Sequence, residues 1–130
     1  MSMGAARWWL AALVLAASHA AAAPGQRLQK QGEQVYERCQ ACHSLETDRT
    51  GPRHCGLFGR RAGSVPGFAY SDAMKHADIV WTARTLDRFL ANPAKMVPGT
   101  TMTYAGVTDA GERKALIAYL QQAARCKPQH

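Results

Sequence analysis

Cys39-Gln40-Ala41-Cys42-His43 is the segment that most restricts what this chain can fold into. Two thiols three positions apart, followed at once by an imidazole, have the spacing of a covalent haem attachment site. Each thiol adds to one vinyl group of the same porphyrin, and the histidine lies under the iron as an axial ligand. A chain so equipped builds its interior around a large flat cofactor. Two other chemistries use the same residue types. A zinc site needs a second ligand pair at matching spacing, and none follows. A thiol–disulfide redox pair sits in a βαβ setting, whereas the flanking sequence here reads as helix. The spacing favours haem.

The first 23 residues read as a secretory signal peptide, to be set aside from the fold. Arg7 supplies a positive start, Trp8 to Ala17 an apolar run, and Ser18 to Ala23 several small-x-small cleavage sites. The apolar run is too short to serve as a membrane span once a cleavage region flanks it, and no later stretch is apolar enough. An exported chain carrying a haem motif points to a bacterial periplasm, where disulfides persist. Of 130 residues, 24–130 then form one small domain, expected to be a soluble monomer. Without Arg7 it holds 15 basic residues against 9 acidic ones, a net charge of +6 that two haem propionates would lower. Such a charge suits steering toward acidic protein surfaces. Nucleic-acid binding is not expected, because no basic run with interleaved aromatics occurs.

The periodicity predicts an all-α chain of short helices and long loops. Gln26 to Arg38 reads as a first helix, with Val35 and Tyr36 turned inward and Glu33, Glu37 and Arg38 toward water. Ser44 to Gly67 is rich in Gly, Pro and Arg and reads as loop. Ser71 is placed to cap a short helical turn over 72–75. Thr82 is placed to cap a third helix carrying Leu86, Phe89 and Leu90, which Pro93 should end near Asn92. Ala94 to Val107 reads as irregular. Thr108 or Asp109 can cap a last helix to about Arg125, with Glu112 at capping-box spacing from Asp109 and an apolar stripe of Leu116, Ile117 and Leu120. Loops this long suit a domain whose centre is a cofactor. Residue chemistry alone leaves the second axial ligand open among His54, His76, His130 and Met102, and a methionine in a Pro-Gly loop is more often plain packing.

Beyond the haem motif, the chain resembles class I cytochrome c through Gly51-Pro52, Gly56-Leu57-Phe58-Gly59-Arg60, Gly67-Phe68-Ala69-Tyr70-Ser71 and Ile79-Val80-Trp81. Asn92-Pro93, Val97-Pro98-Gly99-Thr100-Thr101-Met102 and Leu116-Ile117-Ala118-Tyr119-Leu120 extend the likeness. It runs from Gly32 to about Ala124, and is nearest the mitochondrial cytochrome c and bacterial cytochrome c2 branch. The resemblance implies the small all-α fold of that family, with crossing terminal helices around one covalently bound haem c. Gly32 and Tyr36 on the first helix, with Tyr119 on the last, match that crossing. It assigns Cys39 and Cys42 to the thioethers, and His43 and Met102 to the iron. A soft thioether favours ferrous iron and raises the potential. Pro52 matches the residue whose carbonyl orients the His43 ring. Arg60, Tyr70 and Trp81 match positions that hydrogen-bond the buried propionates.

Several residues depart from the family pattern. Phe89 stands where a tyrosine hydroxyl usually contacts the methionine sulfur, and Met74 where an asparagine is common. Tyr104 replaces a phenylalanine at the haem edge. The lysine ring used for docking is thinned at Ala94, Thr101, Thr108 and Asp109, while Arg38, Arg49, Lys75 and Lys95 remain. In the resemblance the loop after Gly-Pro lies near the end of the last helix, which suggests a Cys55–Cys126 disulfide. The expected function is one-electron transfer between periplasmic or membrane redox partners, docked transiently, by a protein that is not an enzyme. The alternative is a peroxidase-like or gas-binding cytochrome with a labile Met102, motivated by Phe89.

Overall fold

Pro24 opens the first helix because its fixed backbone angle suits the first helical position, where its missing N–H is not needed. Helix α1 runs Pro24–Tyr36 and buries Gly32, Val35 and Tyr36. The structure, a computed structural model, describes Met1 and residues 20–126; most of the expected signal peptide and His130 lie outside the described residues. The other helices are α2 (Asp72–Lys75), α3 (Ala83–Ala91), α4 (Pro93–Met96) and α5 (Ala110–Ala123). Ser71, Thr82 and Asp109 cap α2, α3 and α5, their side-chain oxygens accepting from the N–H groups of Met74, Thr85 and Glu112. Among the described residues the nearest approach to a sheet is one isolated bridge, Arg61 to Val80. No described helix is long and apolar enough to cross a membrane.

Helix α4 departs from the sequence expectation of an irregular segment after Asn92. Asn92 is extended, as a residue before proline must be, and this ends α3. The same geometry lets its side chain accept from the Lys95 N–H at 3.0 Å, with Pro93 at the first position of a new turn. One residue therefore stops one helix and starts the next.

The core is organised by the crossing of α1 and α5. A Cβ at Gly32 would collide with the Ala115 carbonyl oxygen and come within 2.6 Å of the Tyr119 Cβ, so only glycine lets the two backbones approach. Tyr36 and Tyr119 pack ring to ring at 5.4 Å, and Gln29 donates to the Ala118 carbonyl at 2.9 Å. Leu116, Ile117 and Leu120 are buried against this seam. Burying a leucine fully is worth about 1.5–3 kcal/mol. The crossing fixes the end of α1, and with it the start of the cysteine motif. At the far end, Cys55 and Cys126 are joined by a disulfide across a Cα–Cα distance of 5.2 Å, well inside the range such bonds allow.

Candidate haem site

Directly after α1 the chain tightens into turns that carry the cysteine motif. The Cys39 carbonyl accepts from both the Cys42 and His43 N–H groups, at 3.1 and 2.8 Å. Both thiols and the imidazole thereby face one large, open-mouthed cavity, which encloses about 1260 Å³ including its mouth into solvent. Cys39, Cys42, His43, Pro52, Arg60, Tyr70, Trp81 and Met102 all line it. Its remaining wall is largely apolar, from Leu57, Met74, Leu86, Phe89, Leu90 and Leu116. All eight residues singled out in the sequence are thus gathered around a single space.

His43 is the most closely specified of them. Its Nδ1 lies 2.8 Å from the Pro52 carbonyl oxygen. A carbonyl can only accept, so Nδ1 carries the proton and Nε2 keeps its lone pair. Burial holds the imidazole below its usual pKa, with the Arg60 charge adding to the effect. The neutral ring is the form that binds a metal. Gly51 makes room for it: a Cβ there would collide with His43 Cε1 and lie 2.6 Å from its Nδ1.

Behind that ring stands His54, stacked on it with centroids 4.3 Å apart and planes 21° apart. Its Nδ1 shares a 3.0 Å hydrogen bond with the Tyr36 hydroxyl. Burial, with His43 and Arg60 nearby, holds its pKa down to about 3. Sequence reasoning noted His54 only as a rival iron ligand. Its position two residues after Pro52, which faces His43, was the signal that could have placed it beside that ring. His76, another such candidate, is exposed and turns its Nδ1 to the Asp72 carbonyl at 2.8 Å.

Arg60 donates from its two terminal nitrogens to the Cys55 and Arg53 carbonyls, each at 3.1 Å. Its buried Nε has no partner within the protein. Tyr70 accepts from the Val65 N–H at 3.1 Å, which leaves its own hydroxyl proton free to donate. Trp81 is buried, with Phe89 packed at 5.0 Å. Met102 sits half-buried in the loop before α5, its N–H turned to the Thr100 hydroxyl at 3.2 Å.

The donors present fit a haem. An unpartnered guanidinium N–H in an apolar wall calls for an acidic acceptor, which a propionate supplies. The flat apolar walls, the paired thiols and the bare Nε2 match the other parts of the group. The rival chemistries fit poorly. Burial pushes the Cys39 thiol up to about 11, the reverse of the lowered value a dithiol redox pair needs. Among the described residues no group of three or more His, Cys, Asp or Glu side chains gathers to hold a metal ion.

Comparison with known proteins agrees with this geometry. The family model described as cytochrome c matches residues 29–124. The chain is 44% identical over 112 residues to cytochrome c2 of Blastochloris viridis, covering 84% of this chain and 87% of that protein. It is also 44% identical over 99 residues to cytochrome c type-1 of Ascaris suum, covering 74% and 87%. Among solved structures, cytochrome cH from Methylobacterium extorquens superposes with a TM-score of 0.70 at 38% identity, covering 72% of this chain and 96% of that one. With its helices, its gathered site and these relatives in agreement, the chain belongs to the class I cytochrome c family, in the cytochrome c and c2 branch, and carries covalently bound haem c.

Proposed function

We propose that this electron-transfer protein works as an exported, monomeric carrier whose iron is held between His43 and Met102. The observation that carries the reading is His43 itself: neutral, its Nδ1–H spent on Pro52, its Nε2 free, in a cavity that Met102 also lines. When bound, the haem supplies a one-electron couple. The chain's own residues set the conditions for it. Cys39 and Cys42 anchor the ring, Pro52 fixes the rotation of the His43 imidazole, and Arg60, Tyr70 and Trp81 receive the propionates. Leu57, Leu86, Phe89 and Leu116 exclude water, which keeps the local dielectric low and the reorganisation on electron transfer small. Phe89 offers the Met102 sulfur no hydroxyl.

Residues 1–23 serve as a cleaved signal and 24–130 as the working domain, in the bacterial periplasm. The signal's n-, h- and cleavage-region pattern supports this, as does the paired Cys55 and Cys126. Redox proteins with acidic surfaces are the fitting partners, docked transiently on a basic domain. The test is an optical spectrum of the holoprotein, oxidised and then reduced, with carbon monoxide added to the reduced form. A ferric sulfur–iron charge-transfer band and no response to carbon monoxide are expected. A missing band with ready carbon monoxide binding would overturn Met102 ligation and put the peroxidase-like or gas-binding alternative first.

A further inference from the structure

We infer that His54 is a positioning residue for His43, fixing the plane of that imidazole and lowering the potential of the centre it serves. The inference rests on His43 being the iron ligand, as proposed above.

One hydrogen bond leaves an imidazole free to tilt. The Pro52 carbonyl holds His43 at the Nδ1 edge, and a ring hinged there can still rock about the Nδ1···O line. The His54 ring closes that freedom by covering one face at 4.3 Å, nearly parallel. A single edge contact and a single face contact together define the plane.

His54 is itself held at several points. Its backbone N–H donates to the Ser44 carbonyl at 3.1 Å, one residue beyond His43, and its carbonyl accepts from Leu57 at 2.9 Å. Its ring nitrogen meets the Tyr36 hydroxyl at 3.0 Å, on the helix that leads into the cysteine motif. The next residue, Cys55, is tied covalently beyond the end of α5. Any apolar side chain of similar volume would fill this place without needing a polar partner. A polar, hydrogen-bonded ring here costs desolvation, and orienting the ring beside it is what the arrangement offers in return.

The electronic consequence has a definite sign. Oxidation leaves the His43 imidazole with more positive character. A neutral, polarisable ring stacked against it favours that state over an aliphatic neighbour, as aromatic faces favour positive charge. His54 therefore stabilises the oxidised protein.

The experiment uses the holoprotein and the variants His54→Leu, His54→Phe and Tyr36→Phe. Two readouts are taken: the oxidised-to-reduced ratio at the wild-type midpoint, and the hyperfine-shifted His43 ring protons in the ferric NMR spectrum. His54→Leu should lower the ratio about threefold, the scale of one aromatic pair, and move the His43 resonances. His54→Phe, which keeps an aromatic face on the ring, should hold both the ratio and the His43 resonances near their wild-type values. Tyr36→Phe should move the resonances less than His54→Leu. A folded His54→Leu with unchanged ratio and resonances overturns the inference and leaves His54 a packing residue. Where His54→Leu does not fold, unchanged His43 resonances in Tyr36→Phe overturn it equally, as do resonances that move in His54→Phe. If the wild-type spectrum holds no hyperfine-shifted imidazole protons, His43 ligation itself is wrong, and this inference falls with it.

Discussion

The two walls of the haem cavity are built very differently. On the His43 side, residues 39–60 are stitched by backbone hydrogen bonds: Gly51 to Cys42, His54 to Ser44, Cys55 to Leu45, Gly56 to Ala124 and Gly59 to Trp81, all 2.7–3.1 Å. The Pro52 carbonyl, the His54 stack and the Cys55–Cys126 bond add to them. On the Met102 side, residues 98–106 span a longer gap. The Thr100 N–H donates to Val97 at 3.1 Å, the Met102 N–H to the Thr100 hydroxyl at 3.2 Å, and Val107 closes the loop on Leu90 at 2.7 Å. One wall is tied to the rest of the chain at many points. The other is tied at few. With His43 and Met102 as the proposed ligands, that asymmetry would keep the first permanent and make the second the point where the site can open.

The comparison can be broken most sharply from the His43 side. Replacing Cys55 and Cys126 together by serine should cost about 4 kcal/mol, since the bond closes a loop of some 70 residues. Guanidinium unfolding of the reduced-thiol-free holoprotein against wild type checks this, and a loss near zero would mean that the hydrogen bonds alone define this wall. Gly51→Ala should come next, at about 3 kcal/mol, because the new methyl group meets the His43 ring and the loop must give way. Its spectrum should change along with its stability.

Changes on the Met102 side should be milder for the fold and larger for the site. Met102→Ala removes a half-buried side chain and should cost about 2 kcal/mol. The reduced variant should now bind carbon monoxide while far-UV circular dichroism stays native. If it unfolded as far as the disulfide-free protein, the two walls would not differ. Smallest is Thr100→Val, which keeps the shape of the side chain but leaves the Met102 N–H without its acceptor. It should cost about 0.5–1 kcal/mol, and the sulfur–iron band should be lost at milder denaturant than in wild type.

Much of the frame is readable without coordinates. Ser71, Thr82 and Asp109 announce their helices because a short polar side chain before an apolar-periodic segment is a local signal, decided within one turn of chain. Asn92 shows where such reading stops. It was legible as the end of α3, but its second task, capping α4, depends on which way its side chain swings after the helix has ended. The apolar stripe of α5 was likewise visible, whereas the close crossing at Gly32 was expected through the family resemblance alone, since Gly32 and Ala115 lie more than 80 residues apart.

The sequence by itself determined the cofactor and its attachment, since thioether chemistry needs two thiols and a histidine at a spacing that is local and covalent. It also determined the helix starts, which short-range hydrogen bonds decide. Tertiary structure alone decided that His54, free in sequence terms to be a ligand, instead stacks on His43 and meets Tyr36. It decided too that the Arg60 Nε is left waiting for an acceptor while its other nitrogens are engaged. These outcomes depend on which groups from distant segments arrive at the same place. Long-range contact is a property of the packed chain, and no local pattern encodes it.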